Sequence, residues 1–483
     1  MVYTPRLPPY AHQTEALDKM RGREAFALLM SMRTGKSKVL IDDWGGLVED
    51  DLAQDLMVVA PGGVYKTWET EIGKQLPDYA REKTMVHTWQ SGGGSGHARN
   101  LKNFMGANDL GVARVFLVNV EALSSVDKAR KAAQEFLGQG RVVMAIDEST
   151  VVKNPSAKRT KFIQQKLAPK AAYRRILSGL PTPRSPLDLF SQFEFLDWRI
   201  LGHRSFYSFR ARYAVVKKMD FGGRAVSIVV GYRNTDELWN LIAPHSYRVT
   251  LDQVREAAPP VYVMREVKMT AEQERIYREL KEFATSAIEA DKHVTATAVI
   301  TQILRLHQLL CGHVIDDDTG EIHDVPENRT AELLRVLEDY DGKAIIWCSY
   351  DHDVRKVSDR LIKEYGERAV ARFWGGNRDT REEEESRFKN DPECRFEVAT
   401  PAAGGRGRTW SVADLHVFYS STADLEHRYQ AEDRSEGVEK FNQATRIDLV
   451  VPGTVEERII QTLRDKIDIA SAITNDGYKT WLI

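Results

Sequence analysis

Two stretches of this chain share one hydrophobic pattern. Short apolar or β-branched runs, bounded by Gly, Pro or polar residues, alternate with longer amphipathic segments. Such runs read as buried strands separated by helices, the signature of a parallel α/β sheet. The first stretch covers residues 1–200, with strands expected at Ala25–Met30, Asp55–Ala60, Arg114–Asn119, Val142–Asp147 and Arg175–Ser178. The second runs over residues 328–483, with strands expected at Lys343–Ser349, Phe396–Thr400, Leu415–Ser420 and Ile447–Val451. Residues 201–327 between them follow a different rhythm. Two alternating runs flank Gly222-Gly223 and read as a β-hairpin. Residues 270–311 then carry helical periodicity. The expected fold class is α/β: two lobes in tandem, with a helical insertion and hairpin between them. Thr454-Val-Glu-Glu457 is a capping box that opens a helix to about Ile469.

Composition narrows the picture only a little. The chain has 483 residues, 42% of them hydrophobic and 29% charged, which suits a globular protein of roughly three domains. No apolar run is long enough to cross a membrane, and the N-terminus lacks the apolar core of a signal peptide. Cys311, Cys348 and Cys394 lie far apart, so neither a disulfide framework nor a zinc site is indicated; Cys311-Gly-His313 is the nearest thing to a metal pair. A reduced, cytoplasmic monomer is expected. The net charge of -2 means that any nucleic-acid partner must be held by local basic stripes. "SGGGSG" at 91–96 reads as a flexible loop without a helix start, and Glu382–Glu385 as a solvated helix face.

Candidate chemistry begins at Met30-Ser-Met-Arg-Thr-Gly-Lys-Ser37, which follows an expected strand and precedes an expected helix. That context suits a phosphate-binding loop, although the pattern G-x-x-x-x-G-K-[ST] would place its first Gly at Met30. Gly35 lets the backbone close on phosphates, Lys36 reaches them, and the Ser37 hydroxyl suits Mg²⁺. Further on, an apolar strand ends in Asp147-Glu148. One carboxylate there can hold the Mg²⁺ water shell and the other can polarise an attacking water. Upstream, Gln13 can pair with an adenine edge. Together these residues point to ATP and Mg²⁺ as cofactors.

The set resembles superfamily 2 helicases, and within them the Swi/Snf-type DNA translocases. The resemblance runs through "VVAPGGVYKTWETEI", "FLVNVEAL", "IDESTVVKNPSAK" and "LSGLPTPRSPLDLFSQFEFL", then "ILRLHQLLCGH", "AIIWCSYDHDV", "RFWGGNRDTREEEESRFKND", "VATPAAGGRGRTWSVADLHVFYSS", "YQAEDRSEG" and "LVVPGTVEERI". It implies two RecA-like lobes that close on ATP and open on hydrolysis, stepping along nucleic acid, most often double-stranded DNA. It also implies roles. Gln13, Arg33, Thr34, Gly35, Lys36 and Ser37 would form the nucleotide loop, with Ser37 and Asp147 toward Mg²⁺. Glu148 would be the general base, and Gln430 and Arg434 would reach the γ-phosphate. Ser178, Gly179 and Thr182 would couple the ATP state to the lobes. Asn119, Lys153, Ser349, Gly376 and Thr400 would contact the nucleic-acid backbone. Short stand-alone chains of this kind resemble bacteriophage and bacterial members.

Three positions depart from the family. Arg33 stands where it usually has Gly, Thr150 where it has His or Gln, and Gly437 where the second Arg of Q-x-x-D-R-x-x-R falls. An arginine supplied to a phosphate typically accounts for about 10³ to 10⁵ in related NTPases. Either Arg434 suffices, or Arg406 or Arg408 substitutes, or hydrolysis is weak. Two other readings therefore stand beside a duplex translocase: a strand-separating or branch-migrating helicase, and a nucleotide-gated DNA-binding protein. The aromatic–basic run "HRSFYSFRARY" and the hairpin lysines Lys217 and Lys218 read as packing before DNA contact.

Overall fold

The structure, a computed structural model, describes residues 3–463 apart from 63, 184, 222–223, 255–257, 291–295, 317, 339, 405–409, 423 and 437–441. Gly437, Arg406, Arg408, the hairpin glycines and the end of the last expected helix thus lie outside the described residues. The chain divides into two compact units, one built mainly from residues up to 255 and the other mainly from those beyond.

The first unit holds β1 (Ala25–Met30), β2 (Asp55–Ala60), β3 (Thr84–Thr88), β4 (Ala113–Asn119), β5 (Val142–Asp147) and β6 (Tyr173–Leu177). After the hairpin arms β7 (Ala214–Phe221) and β8 (Arg224–Tyr232) comes its last strand, β9 (Ser246–Val249). The seven sheet strands run β3-β4-β2-β5-β6-β1-β9 and every pairing is parallel. Alternation along a strand sends side chains to opposite faces. Ala27 and Leu29 accordingly join one buried cluster, and Phe26, Leu28 and Met30 another. Helices cover both faces, which is why these strands read as unbroken apolar runs.

The second unit holds β10 (Val261–Glu266), the small antiparallel pair β11 (His313–Ile315) and β12 (Ile322–Asp324), then β13 (Lys343–Trp347), β14 (Val370–Phe373), β15 (Phe396–Ala399), β16 (Ala413–Phe418) and β17 (Thr445–Val450). Its main sheet is again parallel, in the order β10-β17-β16-β13-β15-β14. The α/β class with two RecA-like parallel sheets is the architecture expected from the sequence. Residues 201–327 supply an edge strand to each sheet: β9 pairs with β1 from Ala27↔Ser246 to Met30↔Val249, and β10 pairs with β17.

Local differences have local causes. The glycine-rich run at 91–96 does start a helix, Ser95–Gly106, entered from Gly94 in extended conformation. His97 folds over Gly93, where a Cβ would sit 2.7 Å from the His97 side chain, and Phe104 and Met105 anchor the far end in the core. In helix Arg381–Asn390, Glu385 is buried and bonded to Lys389 and Trp410, while Glu382 and Glu383 are exposed. Thr454 caps a helix seen over 455–463, its hydroxyl accepting from the Glu456 N–H. No described helix is long and apolar enough to cross a membrane.

Candidate nucleotide site

Parallel strands put all their carboxyl ends on one edge, where ligands of open α/β sheets bind. On the first sheet that edge carries the loop after β1, Asp147 at the end of β5, Ser178 after β6 and Asn119 at the end of β4. The loop after β1 turns into helix Lys36–Glu49 through Gly35 at φ +86°. Glycine is required twice over there. Its φ is left-handed, and a Cβ would lie 2.1 Å from Gln13 Nε2. Arg33 is also left-handed, at φ +63°. That is a physical reason for glycine at this position, and Arg33 holds the same backbone at a steric cost of about 1–2 kcal/mol.

Side chains brace the loop from within. The Thr34 hydroxyl donates to Ser31 O at 2.8 Å, and Lys36 Nζ donates to Met30 O and Ser31 O at 2.9 and 3.0 Å. Gln13 Nε2 donates to Thr34 O at 3.1 Å, while its Oε1 accepts the Tyr10 N–H at 3.0 Å. Gln13 therefore wedges the loop against helix Ala11–Met20, with His12 Nε2 2.8 Å from the same Thr34 carbonyl. Ser37 is half-buried in the first turn, where the helix N-terminus presents oriented amides to an anion.

Asp147 is 7% exposed. Its Oδ2 accepts the Trp68 indole N–H at 2.9 Å and its Oδ1 the Glu148 amide. Burial raises its pKa, and the Trp68 hydrogen bond, the Lys36 charge and the Glu148 amide offset this only in part. Glu148 sits at φ +48° and, with Arg33, is one of two non-glycine left-handed residues on this edge, the others described being Asp51 and Asn234. The nucleotide loop and the carboxylate turn are both held in conformations that cost energy, a property that clusters at functional sites.

The loop after β6 closes in from the other side. A Cβ on Gly179 would lie 3.2 Å from the Met32 N and Cγ, so this loop touches the nucleotide loop. Arg248 from β9 donates to both Leu29 O and Gly179 O, at 2.9 and 3.2 Å. The hydroxyls of Ser178 and Thr182 are buried, with no hydrogen-bond partner among the described residues. Buried polar atoms left so are uncommon and ask for a ligand or water. Sequence reasoning missed the parts played by Trp68 and Arg248. Each acts across a long separation, 79 residues for Trp68–Asp147, which no spacing rule reports.

The nucleic-acid candidates fall on the same kind of edge. Asn119 Nδ2 donates to Glu121, whose carboxylate also takes the Gly62 N–H at 3.0 Å. Lys153 is half-buried after the turn that follows Glu148. In the second unit, Ser349, Gly376 and Thr400 follow the adjacent parallel strands β13, β14 and β15. Ser349 is tied to Ser420 through both its amide and its hydroxyl. Gly376 leaves room for the Trp374 ring, and the Thr400 carbonyl accepts from Ala403 and Gly404 to start helix Pro401–Gly404. Phe209 of the aromatic–basic run packs on Phe190, and Arg212 pairs with Glu237.

Gln430 lies on helix Leu425–Glu432 and Arg434 just beyond it; both are buried. The Gln430 Oε1 has no partner among the described residues. This helix is fixed by a charge network. Arg428 makes a two-pronged bond to Asp448 and pairs with Glu432, which with Glu436 also holds Arg446. A second network centres on Arg329, which bonds Leu310 O, Tyr419 O, Leu449 O and Glu456. His307, Cys311 and Glu456 alone have metal-like spacing among the described residues. Arg329 occupies that carboxylate and burial pushes the Cys311 thiol far up, so this is an ion-pair network. His313, the other half of the sequence's metal-like pair, faces Asp353 at 3.4 Å.

A left-handed glycine at a helix start, a lysine beside it, a hydroxyl in the first turn and a buried carboxylate at the end of β5 fit a nucleotide triphosphate with its magnesium. The donors are all oxygen and nitrogen of the hard kind that Mg²⁺ and phosphate select. Fold and site together define an ATPase of the P-loop class with two RecA-like units. Residues 14–314 match the model of the SNF2-related domain. The chain belongs to that family, and so to the ATPases of helicase superfamily 2. It is 22% identical over 379 residues to the TATA-binding protein-associated factor MOT1 of Saccharomyces cerevisiae, a match covering 68% of this chain and 20% of that protein. It is 21% identical over 422 residues to the human DNA annealing helicase and endonuclease ZRANB3, covering 87% of this chain and 36% of that one. The chain thus spans only a fifth to about a third of the curated relatives it matches. Among solved structures, the Sulfolobus solfataricus SWI2/SNF2 ATPase core in complex with dsDNA matches at 20% identity and a TM-score of 0.43. That match covers 98% of this chain and 95% of that one.

Proposed function

We propose that this chain is an ATP-driven translocase on double-stranded DNA. The observation that carries the reading is the left-handed Gly35 leading into Lys36 at the start of its helix, with buried Asp147 on the same carboxyl edge of the first sheet, beside two strained non-glycine turns. ATP with Mg²⁺ bound there supplies the phosphoanhydride bond whose hydrolysis drives the motion. Lys36 and the amides from Gly35 onward hold phosphate charge. Ser37 and Asp147 hold the metal's oxygen shell. Glu148, set on its left-handed turn, takes the proton of the attacking water. Gln430 and Arg434 serve the γ-phosphate, and Ser178, Gly179 and Thr182 relay the nucleotide state. Asn119, Lys153, Ser349, Gly376 and Thr400 touch the DNA backbone, so binding falls steeply with salt and shows little sequence preference. The chain acts as a monomer in the cytoplasm, in viral or bacterial DNA metabolism.

Steady-state ATP hydrolysis with duplex DNA, single-stranded DNA and RNA side by side tests this reading. Duplex DNA should raise turnover most. If wild-type protein with duplex turns over no faster than Glu148→Gln, the reading fails. Strand release from a forked duplex would instead favour a helicase. The Gly at 437 favours one further reading, a nucleotide-gated DNA-binding protein. That reading requires ATP-dependent affinity with negligible turnover, and a sharp gain in Gly437→Arg.

A further inference from the structure

Thr150, where the family usually has His or Gln, stands two residues beyond Glu148 in the turn after β5. The side chain of Gln192, in helix Leu189–Leu201, lies between this turn and the loop after β6 and bonds both. Its Oε1 accepts the Ser149 hydroxyl at 2.6 Å. Its Nε2 donates to Pro181 O at 2.7 Å and Asp188 O at 2.8 Å. Ser149 and Gln192 are both fully buried. Ser149 directly follows Glu148, and Pro181 directly precedes Thr182. Both donor hydrogens of one amide are thereby committed to the loop after β6, and its oxygen to the turn after β5.

The contact extends outward. Asp188 belongs to a capped turn, Pro186–Asp188, whose Ser185 amide donates to the Asp188 carboxylate at 3.3 Å. Ser185 also bonds the phenol of Tyr232, the last residue of the hairpin arm β8. One buried amide thus joins the loop carrying Thr182 to the turn carrying Glu148, and Asp188 and Ser185 extend that contact to the base of the hairpin. A packing role alone would be filled as well by Leu or Met, without placing a polar group where every bond must be satisfied.

We propose that Gln192 is a positioning residue that ties the Glu148 turn to the Ser178–Thr182 loop through the Ser149 hydroxyl. The Gln192 bridge sets where Glu148 stands when the loop after β6 shifts. This rests on the ATPase reading above and names how that site is coupled to DNA.

The experiment compares Ser149→Ala, Gln192→Met, the double variant and Ser149→Thr. Turnover is read with and without duplex DNA, together with the KM for ATP and the melting temperature. DNA-stimulated kcat is expected to fall about tenfold in each single loss variant, with ATP KM moved less than about twofold. The double variant should fall no further than the worse single one, because both remove the same bond. Ser149→Thr, which keeps the hydroxyl, should retain wild-type stimulation. Additive losses, a KM that moves with kcat, or losses that track melting temperature and persist in Ser149→Thr would overturn the proposal. A wild-type enzyme not stimulated by DNA would sink the translocase reading instead. The Gln192 bridge would then be judged by the same additivity in unstimulated kcat.

Discussion

The carboxyl edge of the first sheet and the floor of the second unit solve opposite problems. At the first, Arg33 and Glu148 hold left-handed backbone, Asp147 is buried with its pKa raised, and two buried hydroxyls lack partners among the described residues. Each of these features costs stability, and each sits where chemistry is proposed. At the second, Arg329 satisfies four acceptors around Glu456, and Arg428 and Arg446 share three carboxylates, with no left-handed non-glycine backbone among the described residues of that unit. A site poised for a ligand is left incomplete, and a scaffold that must not move is closed. Substitutions should therefore separate activity from stability according to region.

The largest effect is expected at Glu148. Glu148→Gln should lower kcat by about 10²- to 10⁴-fold, the usual contribution of a general base, while leaving the melting temperature within a degree or two. Glu148→Gly should lose activity equally yet melt higher, because glycine accepts φ +48° without the steric cost. Equal stability of the Gln and Gly variants would mean that the turn is not strained, and half of the comparison would go with it.

Next is Arg329. Arg329→Met takes the guanidinium from buried Glu456, leaving it only His307 and the Val451 amide, and should destabilise the second unit by about 3–5 kcal/mol, seen as an early denaturant transition. Arg329→Met with Glu456→Leu should recover much of that loss, since an apolar pair of similar volume replaces a buried ion pair at little cost. A double variant as unstable as the single one would show that the backbone acceptors Leu310 O, Tyr419 O and Leu449 O matter more than the carboxylate.

Glu456 gives the same region a pH signature. Burial alone would raise its pKa, but Arg329 and His307 outweigh that and hold it at about 2, below the ordinary 4.5. The stability it contributes is fully present above pH 4.5 and is lost as pH falls from there toward 2. The loss is on the order of 2–3 kcal/mol, which equilibrium unfolding of wild type against Glu456→Gln measures. A flat difference between the two across that window would refute the assignment.

Sequence patterning revealed much of this division and missed the rest for physical reasons. Strands buried on both faces, such as Val142–Asp147, stand out as apolar runs. Edge strands did not: Thr84–Thr88 mixes polar and apolar residues on a half-exposed edge, and Ser246–Val249 has four residues inside a segment read as an insertion. Lys36 and Asp147 were visible because loop chemistry demands those residue types. Trp68, Arg248 and Gln192 were not, because their partners are distant in sequence and any of the three could have been core or surface. The glycine-rich run at 91–96 misled because glycine spacing says nothing of the Phe104 and Met105 that anchor its helix.

The smallest effect expected tests the strained side of the comparison most cleanly. Arg33 holds φ +63° with a side chain, where only glycine is unstrained. Arg33→Gly should raise stability by about 1 kcal/mol, despite the extra freedom glycine gives the unfolded chain. In a unit of this size that is a melting shift of about 2–4 °C. Arg33→Ala removes the same charge and most of the same side chain but keeps the Cβ, so it should gain none of that increment. The Gly-minus-Ala difference isolates backbone strain from every effect of the guanidinium. If both variants melt together, the loop carries no stored strain at Arg33, and its left-handed turn costs no more than the ordinary backbone of the scaffold.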